Sequence, residues 1–319
     1  MDRSKGEMKN PSPRVILFIN LSKEHARDLG EEIREELSSR NIQTDIFSYK
    51  GNPGFTIKEG YHVAFSLGGD GTVLSAARIM SPLNVPILPV NLGTFGFIAG
   101  VNPSGWKDAF TRWQEGKARI SRRLMLELNV ERDNKILFRG SCLNDVVISY
   151  SGIAKIIRLR VSYIETGQTD LINLGQYRSD GLIISTPTGS TAYSMAAGGP
   201  IIDPEMEALI LNPICPFTLS NRPMALPAED TVLVEVERGQ RSGVILTVDG
   251  QVTEKLKGGD KIYLKKTPYQ CLLIESGKKN FYQALKTKFG WTGGAEEDPR
   301  DENPLEAAGE RRLSSCSKN

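Results

Sequence analysis

The five residues Gly68-Gly69-Asp70-Gly71-Thr72 constrain this chain more than any other stretch, because of what stands on either side of them. Tyr61 to Leu67 (YHVAFSL) is short, apolar and β-compatible, and Val73 to Met80 (VLSAARIM) has the Ala and Leu content of a helix. A Gly-rich loop between a strand and a helix N-terminus suits phosphate. Glycine lets the backbone approach an anion, and the unpaired N–H groups of the first turn supply donors backed by the positive end of the helix dipole. A carboxylate inside such a cradle needs a reason. Asp70 has one if it holds a cation such as Mg²⁺ against the phosphates, or takes a proton from a hydroxyl that attacks them. As one half of a common Asp-Gly turn pair it would only shape the loop.

The surrounding pattern predicts two kinds of architecture in one chain of 319 residues, long enough to fill two cores with its 39% apolar content. Residues 1–13 are polar and read as a flexible start. From 14 to 123 strands alternate with helices: Arg14 to Asn20, a helix over Glu24 to Arg40 capped by Ser22, Thr44 to Ser48, a loop over 51–60, the strand and helix around GGDGT, Val85 to Val90, and a helix from Trp106 to Glu115. Such alternation predicts a parallel sheet with ligand loops at the strand carboxyl ends, where both GGDGT and Asn91 to Phe97 (NLGTFGF) fall. From 124 to 275 short strand-like runs follow one another with few helices, among them Lys261 to Lys265 and Cys271 to Glu275, which predicts an all-β domain. A short helix over Gly189 to Ala197, capped by Ser190-Thr191, is the exception. Phe281 to Phe289 reads as a helix, and 292–319, charged and poor in large apolar groups, as a disordered tail.

Composition removes several function classes. A formal charge of +2 carries no broad field for nucleic acid or an anionic membrane. With no signal-peptide core and no long apolar run, a cytoplasmic protein is expected. Cys142, Cys215, Cys271 and Cys316 form no CxxC pair, which argues against structural zinc and for reduced thiols. Only His25 and His62 are present, so acid and base work falls to carboxylates rather than to a Ser-His-Asp triad. The chain has no GxxxxGK[ST], no GxGxxG after its first strand and no nucleophile elbow.

A second stretch, Tyr177 to Ile201 (YRSDGLIISTPTGSTAYSMAAGGPI), reads as a ligand wall. Gly189, Gly198 and Gly199 permit close approach, the hydroxyls can read amide or ring-nitrogen edges, Tyr193 offers a face for a base, and Arg178 can clamp a phosphate. The alternative is a corner where two backbones cross on small residues. Asn144-Asp145 can hold vicinal ribose hydroxyls or form a turn, and Asp249-Gly250-Gln251 between apolar runs is foremost a hairpin.

Taken in order, GGDGT (68–72), NLGTFGF (91–97), LNDV (143–146), DGLIISTPTGSTAYSMAAGGPI (180–201) and DGQ (249–251) resemble the NAD kinase family over about Arg14 to Phe289. The 180–201 block carries the specificity, since diacylglycerol-type lipid kinases and 6-phosphofructokinases share GGDGT or a close relative of it. The resemblance implies transfer of the γ-phosphate of ATP, or of polyphosphate, to the adenosine ribose 2′-hydroxyl of NAD, with Mg²⁺ or another divalent ion. It implies the NAD kinase/diacylglycerol kinase-like fold class, an N-terminal α/β domain, a C-terminal β domain and a segment (276–291) returning to the first. It also implies a homodimer or homotetramer. By motif position, Asp70 would be the base or metal-linked carboxylate, with Gly68, Gly69, Gly71, Thr72 and Arg178 handling phosphates. Asn144 and Asp145 would hold ribose hydroxyls, while Thr191, Ala192 and Tyr193 border adenine and ribose. Asp180 and Ala196 would face the nicotinamide end, and Phe97 would flank the dinucleotide. Many relatives carry Ser at 196, Leu at 95 and Glu at 145, where this chain has Ala196, Phe95 and Asp145. A lipid kinase, a sugar-phosphate kinase and a non-catalytic dinucleotide sensor are the competing readings.

Overall fold

The computed structural model describes residues 13–50, 59–93, 96–152, 156–274 and 278–290, with 278–280 described by their backbone alone. The readings made for 1–12, 51–58, Phe95, Cys316 and 292–319 lie outside the described residues.

In β1 (Val15–Asn20) successive side chains point to opposite faces, and every position is apolar or at the strand end, so the strand is buried on both sides. Val15, Leu17 and Ile19 pack under α1 (Ala26–Ser39), which turns Leu29, Ile33 and Leu37 inward, while Ile16 and Phe18 face the other layer. The helix expected from Glu24 begins at Ala26. His25 stands before it with φ 60, no side chain caps it, and the N–H of Ser22 donates to Asn20 Oδ1 at 3.0 Å. β2 (Thr44–Tyr49), β3 (Val63–Gly68), α2 (Asp70–Met80) and β4 (Ile87–Asn91) follow, and the sheet order β2-β1-β3-β4 is parallel throughout. α3 (Trp106–Gln114) joins α1 on one face through Trp106 and Phe110, and α2 covers the other with Val73, Leu74 and Ala77.

The remaining elements are mostly strands: β5 (Ile120–Arg132), β6 (Lys135–Cys142), β7 (Asp145–Ser151), β8 (Ile157–Ile164), β9 (Ile172–Ser179) and β10 (Gly181–Ser185). After a one-turn helix, α4 (Tyr193–Ala196), come β11 (Ala208–Ile214), β12 (Met224–Pro227), β13 (Thr231–Val236), β14 (Gly243–Val248), β15 (Val252–Leu256) and β16 (Lys261–Ile274), and then α5 (Lys278–Phe289). Two hairpins are set by paired left-handed residues, Asp133 and Asn134 (φ 50 and 60) and Asp249 and Gly250 (φ 50 and 65), whose twist matches that of the flanking strands.

β7, β10, β11, β12, β14 and β15 form a six-stranded sheet in the order β12-β11-β10-β7-β14-β15, every pair antiparallel. Its inner face, with Val146, Ile148, Leu182, Ile184, Leu211 and Leu246, packs on Leu126, Leu128, Leu159, Val161, Val234 and Ile262 of the other sheet. By the two-residue period, Asp145, Val147, Ser149, Ile183, Asn212 and Thr247 point to the outer face.

For the runs 261–265 and 271–275, expected as two strands, the described residues 261–274 form the single strand β16, whose register with β5 breaks between Lys266 and Gln270. Pro268 lies in that break and has no N–H to give the ladder. β16 extends one sheet across both halves: it pairs with β13 and β5, and its Leu273 pairs in parallel with Ile87 of β4, giving ten strands in all.

Candidate active site

Gly68 ends β3 and Gly69 caps α2, so Asp70 is the first helical residue. The helix expected from Val73 therefore starts three residues earlier, and the phosphate loop is the helix N-terminus itself. Gly68 is fixed by packing, because a Cβ there would lie 2.1 Å from Thr72 Oγ1. The Asp70 carboxylate accepts three backbone N–H bonds, from Phe97 (3.0 Å), Ile98 (3.2 Å) and Ala99 (2.9 Å). GGDGT is thus tied to the segment 97–99, with the carboxylate as the knot. Gly96 makes the approach possible, since a Cβ there would lie 2.1 Å from Asp70 Oδ1. The half-buried Phe97 ring packs on α5, 5.7 Å from the Phe289 centroid and 6.3 Å from that of Phe281, with Lys288 Nζ 4.7 Å above it.

On the β side a cavity of about 390 Å³ opens on the outer face of the six-stranded sheet. Asn144, Asp145, Val147 and Ser149 of the β7 segment form one wall, Ala192 and Tyr193 a second, and Thr247, Asp249 and Gly250 a third. Burial, and secondarily the charge of Asp249, pushes the Asp145 carboxyl up to about 7. Burial also raises Asp249, against the pull of Arg78 and the amides of Asn144 and Leu143. Asn144 Oδ1 is buried with no hydrogen-bond partner in the protein, the state of an acceptor awaiting a donor. Tyr193 is 47% exposed at the rim, a flat aromatic face held by a short helix.

The 177–201 stretch divides between the two readings given to it. Gly189 and Gly199 serve a backbone crossing: a Cβ would lie 2.2 Å from Asn144 O at Gly189, and 2.4 Å from Ser194 Oγ at Gly199. Tyr177 is buried in the sandwich core. Ser190 and Thr191 do not cap a helix; they belong to a 3₁₀ turn in which Ser190 Oγ bonds both N–H and C=O of Ile202, and Thr191 Oγ1 donates to Thr188 O. Thr191 is buried, Asp180 is half-buried and Ala196 is exposed, and none of these three lines the cavity. Arg178 lies elsewhere. It is exposed, stands 5.0 Å over the Phe217 ring and lines a separate cleft of about 530 Å³ with Arg158 and Arg241.

Residues 20–118 match the family described as the ATP-NAD kinase N-terminal domain, and residues 143–276 match the ATP-NAD kinase C-terminal domain. The chain belongs to the ATP-NAD kinase family. Family members similar to it include the NAD kinase of Treponema denticola, 39% identical over 281 residues that span 88% of this chain and 97% of that protein. The NAD kinase of Aquifex aeolicus is 38% identical, covering 87% and 99%. Among solved structures, a yeast NADH kinase complexed with NADH superposes with a TM-score of 0.78 at 22% identity, covering 91% of this chain and 90% of that one. An NAD kinase from Archaeoglobus fulgidus in complex with ATP gives 0.65 at 23%, covering 86% and 97%. Both likenesses establish the shared fold of the ATP-NAD kinases, α/β in the N-terminal half and mostly β in the C-terminal half.

Sequence reasoning passed over Arg78 and Asn212 of this ATP-NAD kinase site, and read Asp249-Gly250-Gln251 foremost as a hairpin. Arg78 of α2 bonds both Asp249 and Gln251 on the β14–β15 turn. Asn212, fully buried in β11, donates to Ser194 O at 2.7 Å and so holds α4 down on the sheet. An Asn inside an otherwise apolar run, Leu209 to Ile214, was the available signal, because a buried amide demands a partner.

Proposed function

We propose that the chain transfers the γ-phosphate of ATP to the 2′-hydroxyl of the adenosine ribose of NAD, giving NADP. The observation that carries this reading is the union of two parts. A helix N-terminus bearing Asp70 is tied, through the bond of Gln251 to Gly71 O, to the turn whose Asp249 and Gly250 line a cavity with Asn144, Asp145, Ala192 and Tyr193, within a chain of the ATP-NAD kinase family.

The N-terminus of α2, with the positive end of its dipole, faces the donor phosphates, and Gly69 leaves the approach open. Asp70 supplies the carboxylate at that loop, as acceptor of the hydroxyl proton or as ligand of a divalent ion. Among the described residues no three carboxylate, His or Cys groups cluster into a cage. A lone carboxylate does fit an octahedral ion that keeps its waters and the nucleotide oxygens. Such an ion, when bound, offsets the charge that develops on the transferred group. Asn144 and Asp145 hold the ribose hydroxyls, Asn144 through its unpartnered Oδ1, and Tyr193 lies against the adenine. Phe97, Thr191, Asp180 and Ala196 flank the nucleotide less directly. Chemistry then reduces to alignment: a weak nucleophile held in line with phosphorus, with donors fixed beforehand.

Arg178 works outside this cavity, and two copies of the chain are proposed to associate near it. β9 is an open sheet edge, with Leu171, Ile172, Phe217 and Leu219 exposed in its neighbourhood, and small-angle scattering reads the assembly size. Residues 14–123 and 124–275 are proposed as the donor and acceptor halves. A cytoplasmic location is proposed; no described helix is long and apolar enough to cross a membrane.

The test couples the purified protein, NAD, ATP and Mg²⁺ to an NADP-specific dehydrogenase, so that only 2′-phosphorylated product gives signal. Repeats with polyphosphate and with NADH identify donor and acceptor. Silence with both donors, while NAD still raises the melting temperature, would convert the reading to a dinucleotide sensor.

A further inference from the structure

Between the donor loop and the acceptor cavity runs an unbroken chain of side-chain bonds. Gln251 donates from Nε2 to Gly71 O (2.8 Å), and its Oε1 accepts from Ser75 Oγ (2.9 Å) and from Arg78 Nη2. Arg78 Nη1 donates to Asp249 Oδ2 at 3.0 Å. Asp249, its side chain wholly buried, accepts from the N–H of Leu143 (3.2 Å), Asn144 (2.8 Å) and Asp145 (3.4 Å). The path starts at the carbonyl of a phosphate-loop residue and ends on the amides of the two residues that hold the ribose.

A buried ion pair of this kind adds little to stability over an apolar replacement, and its best-attested use is to fix register. The halves it joins share little else in the backbone ladder: the parallel part of the sheet meets β16 in the pair Leu273 with Ile87. We propose that Arg78, Asp249 and Gln251 act together as a positioning relay that sets the separation between donor loop 68–72 and the acceptor pair Asn144–Asp145. This rests on the kinase reading above.

A consequence distinguishes the relay from ordinary packing. The groups facing Asp145 are Asp249 on the β14–β15 turn with Arg78 of α2 behind it, the buried thiol of Cys142 on β6, and Tyr193 across the cavity. Asp249 is the like charge that helps hold Asp145 up, so relay and acceptor titrate together.

The experiment uses full-length protein and two variants. Gln251→Leu removes the links to Gly71, Ser75 and Arg78 Nη2 and leaves the bond from Arg78 Nη1 to Asp249 in place. It is expected to lower kcat about tenfold, with KM for NAD and for ATP within about threefold, because misplacement rather than lost binding is the defect. Asp249→Asn removes the like charge, and the midpoint of the pH dependence of NAD affinity, read by calorimetry between pH 5 and 9, is expected to shift downward. Unchanged kcat in Gln251→Leu overturns the relay, as does an unmoved midpoint in folded Asp249→Asn. If Asp249→Asn fails to fold, Gln251→Leu decides alone. If the wild-type protein makes no NADP, the kinase reading fails, and the calorimetric midpoint, which needs no turnover, still decides the relay.

Discussion

Replacing Gly96 by Ala tests whether the knot at Asp70 sets the geometry of the site. The added Cβ would lie 2.1 Å from Asp70 Oδ1, 2.7 Å from Cγ and 2.9 Å from Oδ2. Bringing the closest of these to ordinary contact at 3.4 Å requires about 1.3 Å of movement. Asp70 cannot yield cheaply, because its carboxylate holds the amides of Phe97, Ile98 and Ala99. Either the carboxylate leaves those donors or the loop moves as a unit, and both shift the first turn of α2 relative to the cavity. Displacement on the scale of 1 Å costs about 100-fold in turnover. Overpacking and weakened charge-assisted bonds together cost about 1–3 kcal/mol of stability. The assay pairs initial rates of NADP formation with a melting curve. We expect kcat to fall about 100-fold and the melting temperature to fall by several degrees. A Gly96→Ala protein with kcat within threefold of wild type and an unchanged melt would show that the knot does not govern the site.

Asp70→Asn is expected to abolish NADP formation while leaving NAD binding largely intact, and to cost about 1–3 kcal/mol because an amide N–H then faces backbone donors; turnover, calorimetry and melting check the three parts. Asp145 binds its proton more tightly folded, near 7, than at its ordinary 3.8, so its own contribution to stability is greatest near and below pH 4, declines as pH rises through about 7 and then levels off. Asp145→Asn should flatten that decline, by an upper bound of about 4 kcal/mol, and weaken NAD binding; urea titrations at pH 5 and 8 check the sign. Asn212→Leu removes one of two donors to the Ser194 carbonyl, which keeps the N–H of Gly199, and should cost about 0.5–1.5 kcal/mol, with a higher KM for NAD as α4 loosens from the sheet. Phe281→Ala empties a buried aromatic site beside Phe97 and should cost about 3–5 kcal/mol, seen as a lower denaturant midpoint.

Local chemistry was readable from the sequence where it is self-contained. Alternation of strand and helix gave the parallel sheet, and Asp249-Gly250 gave its hairpin. Boundaries blurred where tertiary partners decide them: α2 reaches back to Asp70 because the loop at 97–99 receives that carboxylate. The site divides the same way. Asn144, Asp145, Ala192 and Tyr193 were legible and do meet in one cavity. The companionship of Arg78, Asp249 and Gln251 was not, since these residues are separated by about 170 positions and no periodicity links them. Neither β11 nor β12 has a clean sequence signature, the first carrying Asn212 and Pro213 in an apolar run and the second only four residues long.

The position of β16 has a consequence for how the chain comes to be folded. A strand made after residue 260 lies in the middle of the sheet, beside β4 and along the whole of β5. During synthesis the parallel layer is complete in sequence by residue 91, and Val101 soon covers the Pro89–Asn91 end of β4, yet its Ile87 end waits some 180 residues for Leu273. Through that interval an apolar strand edge is open to any passing β-chain, and the contacts that close it are among the most distant in sequence, the slow kind to form. Pro89, in the middle of β4, removes one donor from that edge and makes stray pairing there less favourable. Nascent chains halted before residue 261 should therefore be caught by chaperones or aggregate, and the molecule should become self-sufficient only once its penultimate secondary-structure element has left the ribosome.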